Sequence, residues 1–269
     1  MEPGTLADNV MVITGASRGI GRELALLAAA QGAQLAVAAR DRAALDALVQ
    51  ECRRTGGRAV AVPTDVTREA DCARLTETTV AEYGRIDTLV NNAGVSMWAR
   101  FEEISDLAIF ERLMAVNYLG SVYCTWHALP HLKKSRGRLV AVASLTGKTG
   151  VPTRSGYAAS KHAMVGFFDT LRIELGPSGV TVTVICPDFV ATEIRERAMG
   201  PDGKPLGRSP VQEAKVMSVE ECARQSLAAI AARQRELIMG TRGKLGLWLK
   251  LIAPGLIDRI ARRAIERGH

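Results

Sequence analysis

From Val10 to Ile185 the chain alternates short, wholly apolar runs with longer amphipathic stretches. "VMVIT" runs into a glycine-rich turn, and "GRELALLAAAQG" follows with helical apolar spacing and closes on Gly32. "LAVAA" and "DRAALDALVQECRRTGG" repeat the unit. So do "AVAV" with a helix through Thr67–Tyr83, "DTLVN" with a helical region to Lys134, and "RLVAVAS" with a helix through Gly156–Leu175, before "VTVTVI". Strands that are apolar along their whole length are buried on both faces, and strands separated by helices pair in parallel. The pattern predicts an α/β fold: a doubly wound parallel sheet of the Rossmann type, of about seven strands with helices on both faces. No linker interrupts it before Pro187, so residues 1–269 read as a single domain. Within it, Pro187–Met217 is richer in Gly, Pro and charge and reads as a long functional loop with short helical pieces beside the substrate. Residues 242–269 read as a basic amphipathic extension.

Composition narrows the function classes. Apolar residues make up 47% and aromatics only 4% of the 269 residues, so the core is aliphatic and alanine-rich. No apolar run reaches the roughly 18 residues of a membrane span. "MEPGTLADN" has neither a basic start nor an apolar stretch, which predicts no secretory signal. The cysteines, Cys52, Cys72, Cys124, Cys186 and Cys222, show no CxxC or zinc spacing. They are expected as buried small hydrophobes in a reducing, cytoplasmic compartment. The net charge of +7 sits mostly in the tail, where seven Lys or Arg between Arg242 and Arg267 face only Asp258 and Glu266. No base-reading motif accompanies it, so no nucleic-acid partner is expected. His127 and His131 are one helical turn apart, but nothing is clearly placed to complete a metal site with them, so none is expected. His162 is expected to be structural.

"TGASRGIG" (Thr14–Gly21) joins the first strand to the first helix. Gly15, Gly19 and Gly21 permit a tight turn and close approach of a diphosphate, which meets the free N–H groups and positive dipole end of the helix. The second strand ends in Arg40, where an acidic residue would select the ribose hydroxyl of NAD. With Arg18 in the turn, two guanidiniums favour a 2′-phosphate, hence NADP(H). Asp41 complicates this, since a one-residue shift would present a carboxylate instead.

Tyr157 and Lys161 in "SGYAASKHA" are four residues apart, on one helical face. A phenol titrates at about 10, and a nearby ammonium favours the phenolate. The pair is expected to be a proton-transfer device, with Ala158, Ala159 and Ser160 keeping its surroundings open. Ser144 ends the strand "RLVAVAS", where open parallel sheets present ligand-facing residues.

The glycine turn, "NNAG" (Asn91–Gly94), Asn117, Ser144 and the Tyr157/Lys161 pair resemble, in order and spacing, the short-chain dehydrogenase/reductase family over roughly Asn9 to Met239. The resemblance implies catalysis by Tyr157 with Lys161, a substrate-binding Ser144, and an Asn117 that holds a water extending a proton path. It implies that Lys161 binds the nicotinamide ribose, Asn91 lies along the cofactor and Asp65 contacts the adenine. In "CPDFVAT", Pro187 and Thr192 would bind the carboxamide. Ser17, Ile20, Val66, Ala93, Gly94 and Val190 are further cofactor neighbours. Asp188 departs from the family's glycine and either lines the substrate pocket or caps the next turn.

"FERLMAVNYLGSVY" and the segment around Tyr157 are most similar to the 11β-hydroxysteroid dehydrogenase branch, with likeness also to 3-ketosphinganine or 3-oxoacyl-type reductases. That implies ketone/alcohol interconversion on a bulky apolar, steroid- or lipid-like substrate, in a homodimer or homotetramer. A cofactor-binding sensor without turnover is the rival. The tail, with Trp248, Leu249, Leu251, Ile252, Leu256, Ile257 and Ile260 flanked by cations and broken at Pro254–Gly255, has three open readings: a peripheral membrane foot, a lid or oligomer contact over the substrate cleft, or a helix packed on the core.

Overall fold

The computed structural model describes residues 6–210 and 216–266, with the backbone alone at 241, 242 and 264–266. The start of the N-terminal segment, residues 211–215 of the Pro187–Met217 loop, and Arg267 with the chain end lie outside the described residues.

The sheet is parallel throughout, in the order β3-β2-β1-β4-β5-β6-β7. Its strands are β1 (Val10–Thr14), β2 (Gln34–Ala39), β3 (Arg58–Pro63), β4 (Thr88–Asn91), β5 (Arg138–Val142), β6 (Thr181–Cys186) and β7 (Glu236–Ile238). The first six coincide with the apolar runs. The last is three residues long and too short to leave a periodic signal. The helices α1 (Gly19–Ala30), α2 (Arg42–Arg54), α3 (Glu69–Tyr83), α4 (Ala108–Met114), α5 (Gly120–Ser135), α6 (Ser155–Leu175) and α7 (Val219–Ala231) flank it.

Burial on both sheet faces splits the core in two. One cluster, with Ile13, Val37, Val90 and Ile185, meets α1, α2 and α7. The other, with Val12, Leu89, Leu139 and Val184, meets α3, α5 and α6. Successive strand residues thus serve opposite clusters, which is why the strands must be apolar throughout. The five cysteines are buried and unbridged, as expected of small hydrophobes, although Cys72 and Cys124 approach to 3.4 Å between α3 and α5.

Strand order reverses between β1 and β4, and the crevice there is the ligand position of an open α/β sheet. The Pro187–Met217 loop roofs it. Described residues of this loop form turns and isolated bridges, with Met199 bridged to Met97 and Val190 to Met217. Backbone hydrogen bonds from Trp98 to Met199 (2.8 Å) and from Met199 to Ser96 (2.9 Å) pin it to the segment after β4.

The tail forms α8 (Thr241–Ile252) and α9 (Pro254–Glu266), broken where expected, with Pro254 in the first turn of α9, where a proline costs least. α8 lies on the turn after β5: Lys250 Nζ donates to the Lys148 carbonyl (2.7 Å), and a Cβ at Gly243 would sit 2.7 Å from Leu145. Leu245, Trp248, Leu251 and Ile252 point outward. No helix among the described residues is long and apolar enough to cross a membrane.

Candidate active site

A cavity of about 780 Å³ opens at the strand-order reversal. The turn after β1 forms one wall with Gly15, Ser17, Arg18, Gly19 and Ile20. Gly15 and Gly19 adopt φ of +65° and +53°, a left-handed backbone that favours glycine. α1 has no side-chain cap and no acidic residue in its first turn, so its leading N–H groups are left for an anion.

Gly21 serves the tight turn and not the ligand directly. It does not line the cavity. A Cβ there would fall 2.4 Å from Asn92 Nδ2 and 2.6 Å from the Gly15 carbonyl. Its smallness lets α1 press on Asn92, which ties the two cavity-forming loops together. Asn92 Nδ2 donates to the carbonyls of Thr14 (2.9 Å) and Gly15 (3.2 Å). The amides of Asn92 and Ala93 both donate to Thr14 Oγ1 (3.0 Å). A backbone cradle this tight, ending at an uncapped helix, fits a diphosphate.

At the far end of this wall stand Arg40, Asp65 and Val66. Asp41 stands beside Arg40 on the same wall and also caps α2, its carboxylate accepting from Ala44 N (3.1 Å). Arg18 reaches Glu193 (3.2 Å) and stands 4.0 Å from Asp41. Arg40 forms no ion pair among the described residues.

Ala93, Gly94, Ser144, Tyr157, Lys161, Pro187, Val190 and Thr192 line the cavity further along, and Asp188 does as well. Asn91 does not. Its side chain turns into the sheet interior, where Nδ2 donates to Thr125 Oγ1 (3.2 Å), and the neighbouring Asn92 takes its place at the wall.

Asn117 also lies outside the cavity, fully buried in a π-helical stretch (Ala115–Leu119) between α4 and α5. Its amide is spent on protein partners: Oδ1 accepts from Val95 N (2.8 Å), and Nδ2 donates to the Val95 carbonyl (3.0 Å) and to Ser160 Oγ (2.9 Å). Instead of presenting a side chain to water, it clamps the loop after β4 to α6. Such π-helical stretches are frequent at functional sites.

The small residues around Tyr157 serve packing. Ala158, Ala159 and Ser160 do not line the cavity, and a Cβ at Gly156 would meet Leu113 and Phe110 at 2.8 Å. Gly156 lets α6 lie close to α4, and Ser160 meets the Asn117 clamp, while Ala159 is exposed.

Ser144 stands two residues after β5 and caps a short turn, its Oγ accepting from Thr146 N (3.2 Å) and Thr146 Oγ1 (2.9 Å). It does this while facing the cavity. Burial raises the Tyr157 phenol above its usual value. It is opposed first by the Arg154 guanidinium and then by the hydroxyls of Ser144 and Thr146. The expected partner, Lys161, lies in the same cavity, with its ammonium bonded to the backbone. Its Nζ donates to the Val142 carbonyl (2.8 Å) and lies 5.9 Å from the Tyr157 ring centroid. Burial pulls its ammonium down to about 8. Arg154, one turn ahead of Tyr157, is the functional residue that sequence reasoning missed. The i, i+3 spacing was its only signal.

α9 contributes Ala261 to the cavity lining. The tail therefore stands at the site, in keeping with its reading as a lid. The described histidines do not: His127 faces Glu69 (3.4 Å) on α3, and His162 bonds the Ala158 carbonyl. Among the described residues no group of three metal-capable side chains exists.

A dinucleotide cradle sharing one cavity with a buried phenol, a lysine and a serine defines a nicotinamide-dependent oxidoreductase. Residues 9–200 match the family model described as short chain dehydrogenase. The 11-beta-hydroxysteroid dehydrogenase-like 4A of Arabidopsis thaliana is 38% identical over 249 residues, 92% of this chain and 82% of that one. An 11-beta-hydroxysteroid dehydrogenase of Pinus massoniana is 36% identical, over 93% of this chain and 72% of its own. The X-ray structure of an alcohol dehydrogenase from Thermococcus sibiricus, complexed with 5-hydroxy-NADP, superposes with a TM-score of 0.75 at 26% identity, covering 86% of this chain and 95% of that one. The chain belongs to the short-chain dehydrogenase family, oxidoreductases acting on CH–OH groups, in the branch of the 11-beta-hydroxysteroid dehydrogenase-like proteins.

Two outcomes follow from this geometry. Gly21→Ala is expected to weaken NADPH binding about tenfold by prising the two loops apart. Gly246→Ala, where an added Cβ meets nothing within 4 Å, leaves it unchanged. A fluorescence titration giving equal affinities for the two variants would refute the clamp. Lys161 is a cation below about pH 8 and neutral above it. Ketone reduction supported by that charge should hold below this pH and decline through it. A kcat/KM profile that stays level well above it would rule the charge out.

Proposed function

We propose that the protein is an NADP(H)-dependent reductase interconverting a bulky apolar ketone and its secondary alcohol. The observation that carries this is the single cavity that holds Tyr157, Ser144 and Lys161 together with the glycine turn. A bound nicotinamide supplies hydride exchange at carbon. The residues of the chain do the rest. Ser144 donates its hydroxyl to the substrate oxygen and holds it beside the phenol. Tyr157 gives its proton to that oxygen during reduction and takes it back in the reverse direction. Burial keeps the phenol protonated, the form that reduction needs, while Arg154 and the two hydroxyls temper the rise so that the proton can leave. Lys161 holds the ribose and keeps positive charge under the site, a reading supported by its position near Gly94 and the phenol ring.

Support for NADP(H) over NAD(H) comes from Arg40, which follows β2 with no carboxylate partner among the described residues, and from Asp41 being engaged as a helix cap. A 2′-phosphate is the natural counter-charge for such a guanidinium. Support for an apolar substrate body comes from Val95, Val116, Leu145, Val151, Phe189 and Ile194 on the cavity wall, with α9 covering it. Reduction is the expected direction where NADPH is the abundant form.

NADPH oxidation with a panel of steroid and long-chain ketones tests the activity. Tyr157→Phe should lower kcat by about a thousandfold or more while leaving NADPH affinity within about twofold. A Tyr157→Phe protein that keeps its rate would overturn the mechanism. Arg40→Ala should raise KM for NADPH about tenfold while leaving that for NADH unchanged. An equal change for both would remove the NADP(H) assignment.

A further inference from the structure

The cavity holds a charged group whose hydrogen-bonding capacity the proton chemistry does not use. Arg154, the residue before the first turn of α6, is only 5% exposed. Its Cζ lies 4.3 Å from the Trp98 ring centroid, 5.6 Å from that of Tyr157 and 5.8 Å from that of Phe189, so three aromatic rings surround it. Of the several N–H donors a guanidinium carries, one is used by the protein: Nη1 donates to Ser96 Oγ (2.7 Å). Nε is buried with no acceptor. No carboxylate pairs with Arg154 among the described residues. The charged group that acts on it besides the Tyr157 phenol is another cation, Arg195. Asp188 and Glu193 line the same cavity without pairing with it, and Glu193 is held by Arg18 and Arg197.

A guanidinium buried with neither counter-ion nor a full set of acceptors is costly. Ring faces offset part of that cost, but they offer nothing to in-plane N–H donors. Tempering the phenol accounts for the positive charge near Tyr157. It does not account for donors left without acceptors at the wall of a substrate cavity. We infer that Arg154 is the anchor for an oxyanion, a carboxylate or phosphate, carried by the substrate, so that the ketone is amphiphilic: an apolar body with one acidic end. This rests on the reductase reading of the same cavity and deepens it. Arg154 lies beside Tyr157, and the ring of Phe189, which also packs on the guanidinium, belongs to the apolar cavity wall. An acidic head on Arg154 would therefore fix which carbon of a flexible apolar chain reaches Tyr157 and Ser144. That selection is hard to obtain from apolar contacts alone, since they are non-directional.

The experiment uses NADPH-bound protein and ligands that cannot be reduced. Decanoate, decyl phosphate and decanamide are titrated by calorimetry into the wild type and into Arg154→Met, which keeps an unbranched side chain and removes the charge. At least one anion is expected to bind about tenfold tighter than the amide in the wild type. The better of the two anions identifies the head group. In Arg154→Met that preference should vanish while the affinity for the amide stays. Equal binding of all three ligands by the wild type overturns the proposal without any variant, as does a preference that survives Arg154→Met. Turnover is then compared for 9-oxodecanoate and its methyl ester. A carboxylate preference in binding with neither ketone reduced would leave the anion anchor standing and sink the reductase reading. Equal reduction of acid and ester, with no preference in binding, would do the reverse. An equal fall in kcat on both ketones in Arg154→Met, with KM unmoved, assigns the arginine to tuning Tyr157 and overturns the anchor.

Discussion

The clamp between the turn after β1 and the loop after β4 is the constraint on which the rest depends. Thr14 and Asn92 exchange backbone and side-chain hydrogen bonds across the point where strand order reverses, and Gly21 permits the approach by having no side chain. A parallel sheet leaves a crevice at that point in any case. The clamp turns the crevice into a cradle of fixed width. The uncapped start of α1, the left-handed Gly15 and Gly19, and the wall from Ala93 to Ser96 all take their positions from it.

A second clamp carries that geometry to the chemistry. Asn117 joins Val95, just beyond the cradle, to Ser160 on α6, and Ser160 bonds back to the Tyr157 carbonyl (2.8 Å). One amide thus fixes the phenol relative to the dinucleotide cradle without touching either ligand. Packing by Gly156 and Ala158 holds the same helix against α4. The phenol is therefore positioned by a rigid helix, two loops and a buried amide, as precise proton transfer requires.

The electrostatics of the site are less simple than a lysine beside a tyrosine. Lys161 spends its ammonium on the Val142 carbonyl, and burial weakens both its charge and the acidity of the phenol. Arg154 supplies the closer compensation, from within an aromatic cage that also faces the substrate space. The same residue serves the proton chemistry from one side and presents unused donors on the other. The tail reaches the site, with α8 seated on the turn that follows Ser144 and Ala261 of α9 at the cavity wall.

Local pattern was enough to place six strands, the glycine turn, the Tyr157/Lys161 helix and the break at Pro254, because strand burial, helix spacing and turn chemistry depend on near neighbours. The alternation of apolar runs with helices determined the parallel, doubly wound sheet, and with it a ligand crevice at the carboxyl ends of the strands. Which residues enter that crevice was decided only by tertiary structure. Asn91 and Asn92 differ by one position, and the end of β4 sends one inward and the other to the wall. Gly21 and Asn117 carry family-like positions, yet both act through contacts with segments some 70 and 22 residues away in sequence, Asn92 and Val95. Arg154 carried no reading at all, because nothing within a helical turn announces that Ser96, Trp98 and Phe189 will close around it. The physical reason is the same in each case: helix and strand periodicity assign a residue to a face of its element, and only the packing of distant elements decides what that face meets.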